Sequence, residues 1–197
     1  MNTISTHRRI LRMVQIALFA ALVAVLQVIS TVVPMPYVKI TLTLIPVVLG
    51  GVYFGKGAAM ILGAVFGAVV TAFTVSGFDF GANMMFVARP FLTIFICFAK
   101  GMLAGLASAY IYEVFNKNNK LSDAKAITLA AAVAPIVNTS FFCIFLFAFY
   151  PDILQQWAGG TNIFIYMITM LVGINFVVEL LLNVIICPII GTKVKLK

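Results

Sequence analysis

The chain is short of the residues that most enzymatic chemistry uses. Among 197 residues it has five acidic side chains, one histidine, one tryptophan and three cysteines. The histidine, His7, stands alone in a basic N-terminal tail, so no metal cluster or nucleophile–base pair can be built around it. Cys97, Cys143 and Cys187 are scattered singly through apolar runs, with neither metal spacing nor a disulfide framework, and read as small core residues. Charged residues make up 9% of the chain, against about a quarter in a soluble globular domain. The apolar/polar alternation of an outer-membrane barrel is also missing, because long unbroken apolar runs take its place. There is no internal repeat, low-complexity segment or soluble domain. Gly50–Gly57 (GGVYFGKG) comes near a phosphate-binding loop, but it ends in glycine and joins two apolar runs with no strand before it. The chain therefore carries no ATPase, protease or other catalytic apparatus, and no cofactor is expected. Any uptake it served would draw on another subunit or an ion gradient.

What it has in quantity is apolar length. The composition is 63% hydrophobic with mean hydropathy +1.16, which points to an all-α integral membrane protein. Six transmembrane helices are expected, at 13–33, 40–53, 58–75, 83–112, 124–149 and 162–187, in one membrane domain over 1–197. Helix 2 is short and contains Pro46, Pro135 should bend helix 5, and Pro188 should stop helix 6. Polar loops lie at 34–39, 76–82 and 150–161 on one side. Arg8, Arg9, Arg12, Lys56, Lys117, Lys120, Lys125, Lys193, Lys195 and Lys197 fall on the other, and Lys39 alone faces them. That asymmetry places both termini in the cytoplasm of a multi-pass plasma-membrane protein. It also makes the net charge of +8 a matter of topology rather than of nucleic-acid binding.

Two cations lie inside the fourth run, Asn83–Tyr112. An ionisable residue within a span is a functional-site hypothesis by default, the alternative being one that snorkels or joins helices. Counted down their helices, Lys100 and Glu179 reach the same depth, about 25 Å, and are expected to form a structural ion pair. Arg89, about 9 Å down, has no acidic residue at its level, so a ligand anion is its expected partner. Asn83, Asn138, Tyr166 and Asn175 lie at neighbouring depths, beneath loops carrying Tyr37, Lys39 and Trp157. Any one amide could merely join helices. Together around Arg89 they describe a pocket for a small anionic or amide-bearing solute. Small residues form a second pattern. Gly63 and Gly67, with Gly101 and Gly105, read as internal packing, whereas Ala17, Ala20, Ala21 and Ala24 on helix 1 could equally dock another membrane subunit.

On these features the chain resembles the substrate-binding S components of energy-coupling-factor (ECF) vitamin transporters. The arginine-led start followed by ALFAAL (Ala17–Leu22) is similar to that family's first helix. KITLTLIPVVLGGVYFGKGAAMILGAVFG (Lys39–Gly67) is similar to its pantothenate and cobalamin branch. The resemblance implies capture of a vitamin between the outer halves of helices 4–6 and the loop after helix 1. It further implies docking of Ala17 and Ala21 on a transmembrane T subunit, and uptake driven by two cytoplasmic ATPases that consume ATP. Pantothenate, small and anionic with an amide and hydroxyls, is the leading substrate, with cobalamin and folate as alternatives. A stand-alone secondary transporter using Lys100 and Glu179 as a relay, or a purely structural membrane subunit, are the competing classes.

Overall fold

A computed structural model describes residues 3–32, 41–117 and 121–194. The loop residues Pro34, Tyr37 and Lys39 lie outside the described residues. The described residues are mostly helical: α1 (Thr3–Val32), α2 (Leu44–Phe54), α3 (Lys56–Val75), α4 (Phe80–Ala88), α5 (Pro90–Lys117), α6 (Asp123–Phe149), α7 (Pro151–Ala158), α8 (Ile163–Tyr166), a π-helical stretch (Met167–Gly173) and α9 (Ile174–Lys193). Among the described residues, five helices are long and apolar enough to cross a membrane: His7–Val32, Lys56–Val75, Pro90–Asn116, Asp123–Phe149 and Asn175–Lys193. The sixth expected span is α2, whose 11 residues reach only about 16 Å. Apart from Val52 and Tyr53 it is buried throughout, as suits a helix that is apolar on every side.

The expected fourth span, 83–112, is not one helix. It breaks at Arg89, which takes an extended conformation (φ −147°, ψ 81°) between α4 and α5. Pro90 is the cause. Its ring excludes the helical region for the residue before it, and it has no N–H to continue α4, so it serves as the first residue of α5. The break leaves no orphaned backbone group at Arg89. Its N–H donates to the Met85 carbonyl at 2.9 Å, and its own carbonyl accepts from the Thr93 N–H at 3.0 Å.

Two further expectations need correction. Pro188 does not end the last helix, since α9 continues to Lys193. Packing holds the helix through the proline, because Cys187 and Gly191 on either side are buried against α2 and α6. The segment 150–161 is not an open loop. Pro151 starts the short helix α7, which buries Ile153, Leu154 and Ala158 and ends on left-handed Gly159 (φ 56°).

The glycines act as expected. A Cβ on Gly63 would collide with the Gly101 backbone, one on Gly67 would stand 2.6 Å from the Cys97 carbonyl, and one on Gly105 would collide with Ala59. This stripe lets α3 and α5 touch backbone to backbone. By contrast α1 lies on the outside, held to α2 and α3 through Phe19, Val23 and buried Gln27. Gln27 accepts from the Thr43 hydroxyl at 2.9 Å and donates to the Thr31 hydroxyl at 3.3 Å.

The bundle has two chemically distinct ends. At one, Arg12 donates to the Phe54 carbonyl (2.6 Å), Lys56 pairs with Glu113 (2.7 Å), Tyr112 donates to Asp123 (2.9 Å) and Tyr53 donates to the Ile190 carbonyl (3.2 Å). This is the basic end. At the other, α4, α7 and α8 close over the tips of α3, α5 and α6 around a cluster of Met85, Ile96, Leu146, Tyr150, Ile153 and Leu154.

Candidate functional site

A cavity of about 250 Å³ opens at the end opposite the basic one. α4 supplies Gly81, Ala82 and Met85, the turn before it Asp79, and α3 Val70. α5 supplies Thr93, Ile96, Cys97 and Lys100, residues spaced so that they share one helix face. Phe142 of α6 and Trp157 of α7 complete the wall. Asp79 caps α4, its carboxylate accepting from the Ala82 N–H at 3.2 Å. Trp157 comes so near the α4 backbone that a Cβ on Gly81 would stand 3.2 Å from its ring. Trp157 and Tyr166 both pack on the apolar cluster beneath, so α7 and α8 form a cover whose inner surface is aromatic.

The cation of this cavity is Lys100. Its Nζ lies 5.5 Å from the Phe66 ring centroid and 5.2 Å from that of Phe142. Among the described residues, no carboxylate lies within ion-pair distance of it. The expected Lys100–Glu179 pair is therefore corrected. Glu179, buried on α9, accepts instead from the Thr41 hydroxyl just before α2, while Asn183 donates to the Glu179 carbonyl at 2.8 Å. Equal depth on two helices did not bring the two charges into contact, because the chain before α2 reaches Glu179 first.

Arg89 is corrected as well. It is exposed at the break rather than set inside a helix, and its guanidinium sits 5.9 Å from the buried Tyr150 ring. The Thr93 and Tyr150 hydroxyls, 2.8 Å apart, both reach the Arg89 carbonyl, at 2.9 and 3.3 Å. What the protein fixes here is the Arg89 backbone. The signal for this was in the sequence: Pro90 marks the boundary, and it removes Arg89 from the stripe that Lys100 occupies.

The expected amides divide. Asn83 donates to the Thr74 carbonyl at 2.9 Å, tying α4 to α3, and does not line the cavity. Asn138, one turn before Phe142 on α6, and Asn175, one turn before Glu179 on α9, each bury a side-chain oxygen that has no hydrogen-bond partner among the described residues. An unsatisfied buried carbonyl is costly, and both oxygens are acceptors ready for a donor. Asp79, Thr93, Cys97, Phe66 and Phe142 were not singled out by sequence reasoning. Only the recurrence of Phe141, Phe142, Phe145 and Phe149 along α6 hinted at an aromatic wall.

A half-buried ammonium between aromatic rings offers an anionic group a partner, and the Asp79 carboxylate on the same lining offers a donor one. A comparison with curated proteins finds no match for the chain. The family described as "ECF transporter, substrate-specific component" matches residues 11–191. Members of that family are substrate-binding transport subunits rather than enzymes, working with a T subunit and ATPases. On that match over most of its length, this multi-pass membrane protein belongs to the ECF transporter substrate-specific component family.

Proposed function

We propose that this chain captures a small organic anion from outside the cell and presents it to an ECF T subunit and two ATPases, which alone consume ATP. The carrying observation is Lys100, a cation without a carboxylate partner among the described residues, lining a cavity at the end away from the basic residues. With that basic end cytoplasmic, both termini lie inside and the cavity opens outward. On this reading the chain is one membrane domain of six helices, with α2 buried as the short sixth.

A hollow of about 250 Å³ falls below the usual range of small-molecule pockets, which favours a compact ligand over a corrinoid or a folate. Pantothenate remains the leading substrate. Its carboxylate would meet Lys100, its hydroxyls and amide would meet acceptors such as Asn138 and Asn175, and Trp157 and Tyr166 would cover it. Tyr37 and Lys39 belong to the same expected set. The docking surface for the T subunit is the outer face of α1. Ala17 and Ala21 are exposed there, with Ala20 and Ala24 half-buried at its edge.

Mass spectrometry of the small molecule that co-purifies with the chain tests the substrate, and a carboxylate of pantothenate's size is the expected result. A neutral or cationic molecule would overturn the role given to Lys100. Uptake by the chain alone in proteoliposomes would overturn the dependence on partner subunits.

A further inference from the structure

A second hollow, larger than the ligand cavity, lies among the described residues at the basic end. At the basic end α1 stands away from the junction of α2 and α3, leaving a groove of about 770 Å³ lined by Arg8, Leu11, Arg12, Gln15, Tyr53 and Phe54, with Gly55 at the turn. The four α1 residues are spaced i, i+3, i+4 and i+7, a single helix face. Arg12 is held in place, because one of its nitrogens donates to the Phe54 carbonyl at the end of α2. That bond uses one of five guanidinium N–H groups, and the others remain to meet an anion. Arg8 lies one turn nearer the N-terminus on the same face and is exposed. Two arginines a turn apart on one wall, one of them fixed, make a fork for a phosphate.

The surroundings favour an amphiphile over a free ion. From the groove, Leu11, Val14 and Leu18 run along α1 into the apolar span at i, i+3 and i+7, and are 43%, 59% and 69% exposed. A phosphate held by Arg8 and Arg12 would place an attached chain along that stripe. Ala17 lies on the side of α1 opposite Arg8, Arg12 and Gln15, so the headgroup wall is separate from the face assigned to the T subunit, while Val14 and Leu18 border that face.

We infer that the groove is a binding site for the phosphate headgroup of an anionic phospholipid, clasped by Arg8 and Arg12, with Leu11 and Phe54 against its glycerol and first acyl carbons. A general attraction of the basic end for anionic lipid is expected in any case. What the geometry adds is position, because Arg9, with the same charge and next in sequence, does not line the groove.

The test is native mass spectrometry of the full-length, delipidated chain in neutral detergent, titrated with phosphatidylglycerol or phosphatidylcholine. Phosphatidylglycerol should bind more tightly, and Arg8→Gln should weaken it about fivefold, the worth of one basic contact at a membrane surface. Arg9→Gln should leave it unchanged. Arg12→Lys serves as a second variant that keeps the charge and a donor for the Phe54 carbonyl but loses the fork. It too should weaken phosphatidylglycerol. Equal losses from Arg8→Gln and Arg9→Gln, or equal binding of the two lipids, would reduce the groove to diffuse attraction and overturn the site. Displacement by glycerol phosphate at concentrations similar to the lipid's would overturn the lipid in favour of a soluble anion.

Discussion

Replacing Lys100 with methionine should separate binding from folding. Met fills nearly the same volume and makes favourable contacts with aromatic rings, so it keeps the stem's packing against Phe66 and Phe142. The fold loses two cation–π contacts of about 0.5–1 kcal/mol each, and it gains relief from holding a half-buried ammonium without a carboxylate partner. The net change in stability of the ligand-free protein is therefore expected to lie within about 1 kcal/mol. The ligand loses a charge-assisted contact in a water-poor cavity, which costs about 2–5 kcal/mol. Because Lys100 is half-buried, the lower end applies, and that is about a thirtyfold rise in Kd. Calorimetry with pantothenate, or with the molecule that co-purifies, reads the affinity, and a melt without ligand reads the fold. An unchanged Kd beside an unchanged Tm would refute the argument, because Lys100 would then be a structural residue that happens to face a hollow.

Arg89→Ala should move affinity by no more than about twofold, since the guanidinium is exposed and its visible contact is the Tyr150 ring. A loss of binding in calorimetry would restore Arg89 to the site. Gly101→Val should destabilise by about 1–3 kcal/mol or more, because even a Cβ at that position collides with the Gly63 carbonyl, and a melt as stable as the parent would show that the α3–α5 seam is loose. In a double-mutant cycle, Lys100→Met and Glu179→Gln should be nearly additive, within about 0.5 kcal/mol, whereas a coupling above about 1 kcal/mol would mean that the two charges meet in solution. Ala17→Trp should leave ligand affinity intact and remove co-purification of the T subunit, and an unaffected complex would take α1 out of the docking surface.

The sequence carried the architecture because a membrane makes apolar length decisive. Helix ends at Val75 and Phe149 fell where the apolar runs stop. The glycines of α3 and α5 were legible for a related reason, since with lipid on the outside only close backbone approach explains small residues at every fourth place. Depth counting failed where it assumed uninterrupted helices. Pro90 divides the run that holds both cations, so Arg89 and Lys100 never share one continuous helix face. The seventeen-residue depth given to Glu179 assumed an α-helix from Asn162, yet the π-helical turns at Met167–Gly173 alter both the rise and the facing of everything after them. Thr41 was hidden for another reason, because a hydroxyl at a loop end has no periodicity to announce it.

The same features allot firmness and freedom within the bundle. α3 and α5 are locked by backbone contact along three turns of small residues, and α5 carries Lys100, so the cation stands on the stiffest part of the protein. The cover over it is built from short pieces, α4, α7 and α8, joined at Arg89, Gly77 and Gly159–Gly160, with positive φ at each of these glycines. Such segments can change angle without breaking a long helix. α1, at the far side, is fastened by one row of Phe19, Val23 and Gln27 and by the Arg12 bond to the Phe54 carbonyl, and its outer face is bare. A capture subunit needs this division. On the proposed function, the group that would recognise the ligand should stay fixed as the cover opens, and the helix that would meet a partner should adjust without disturbing either. Placing Lys100 on α5, rather than the cation on the Arg89 hinge, is what makes the two requirements compatible.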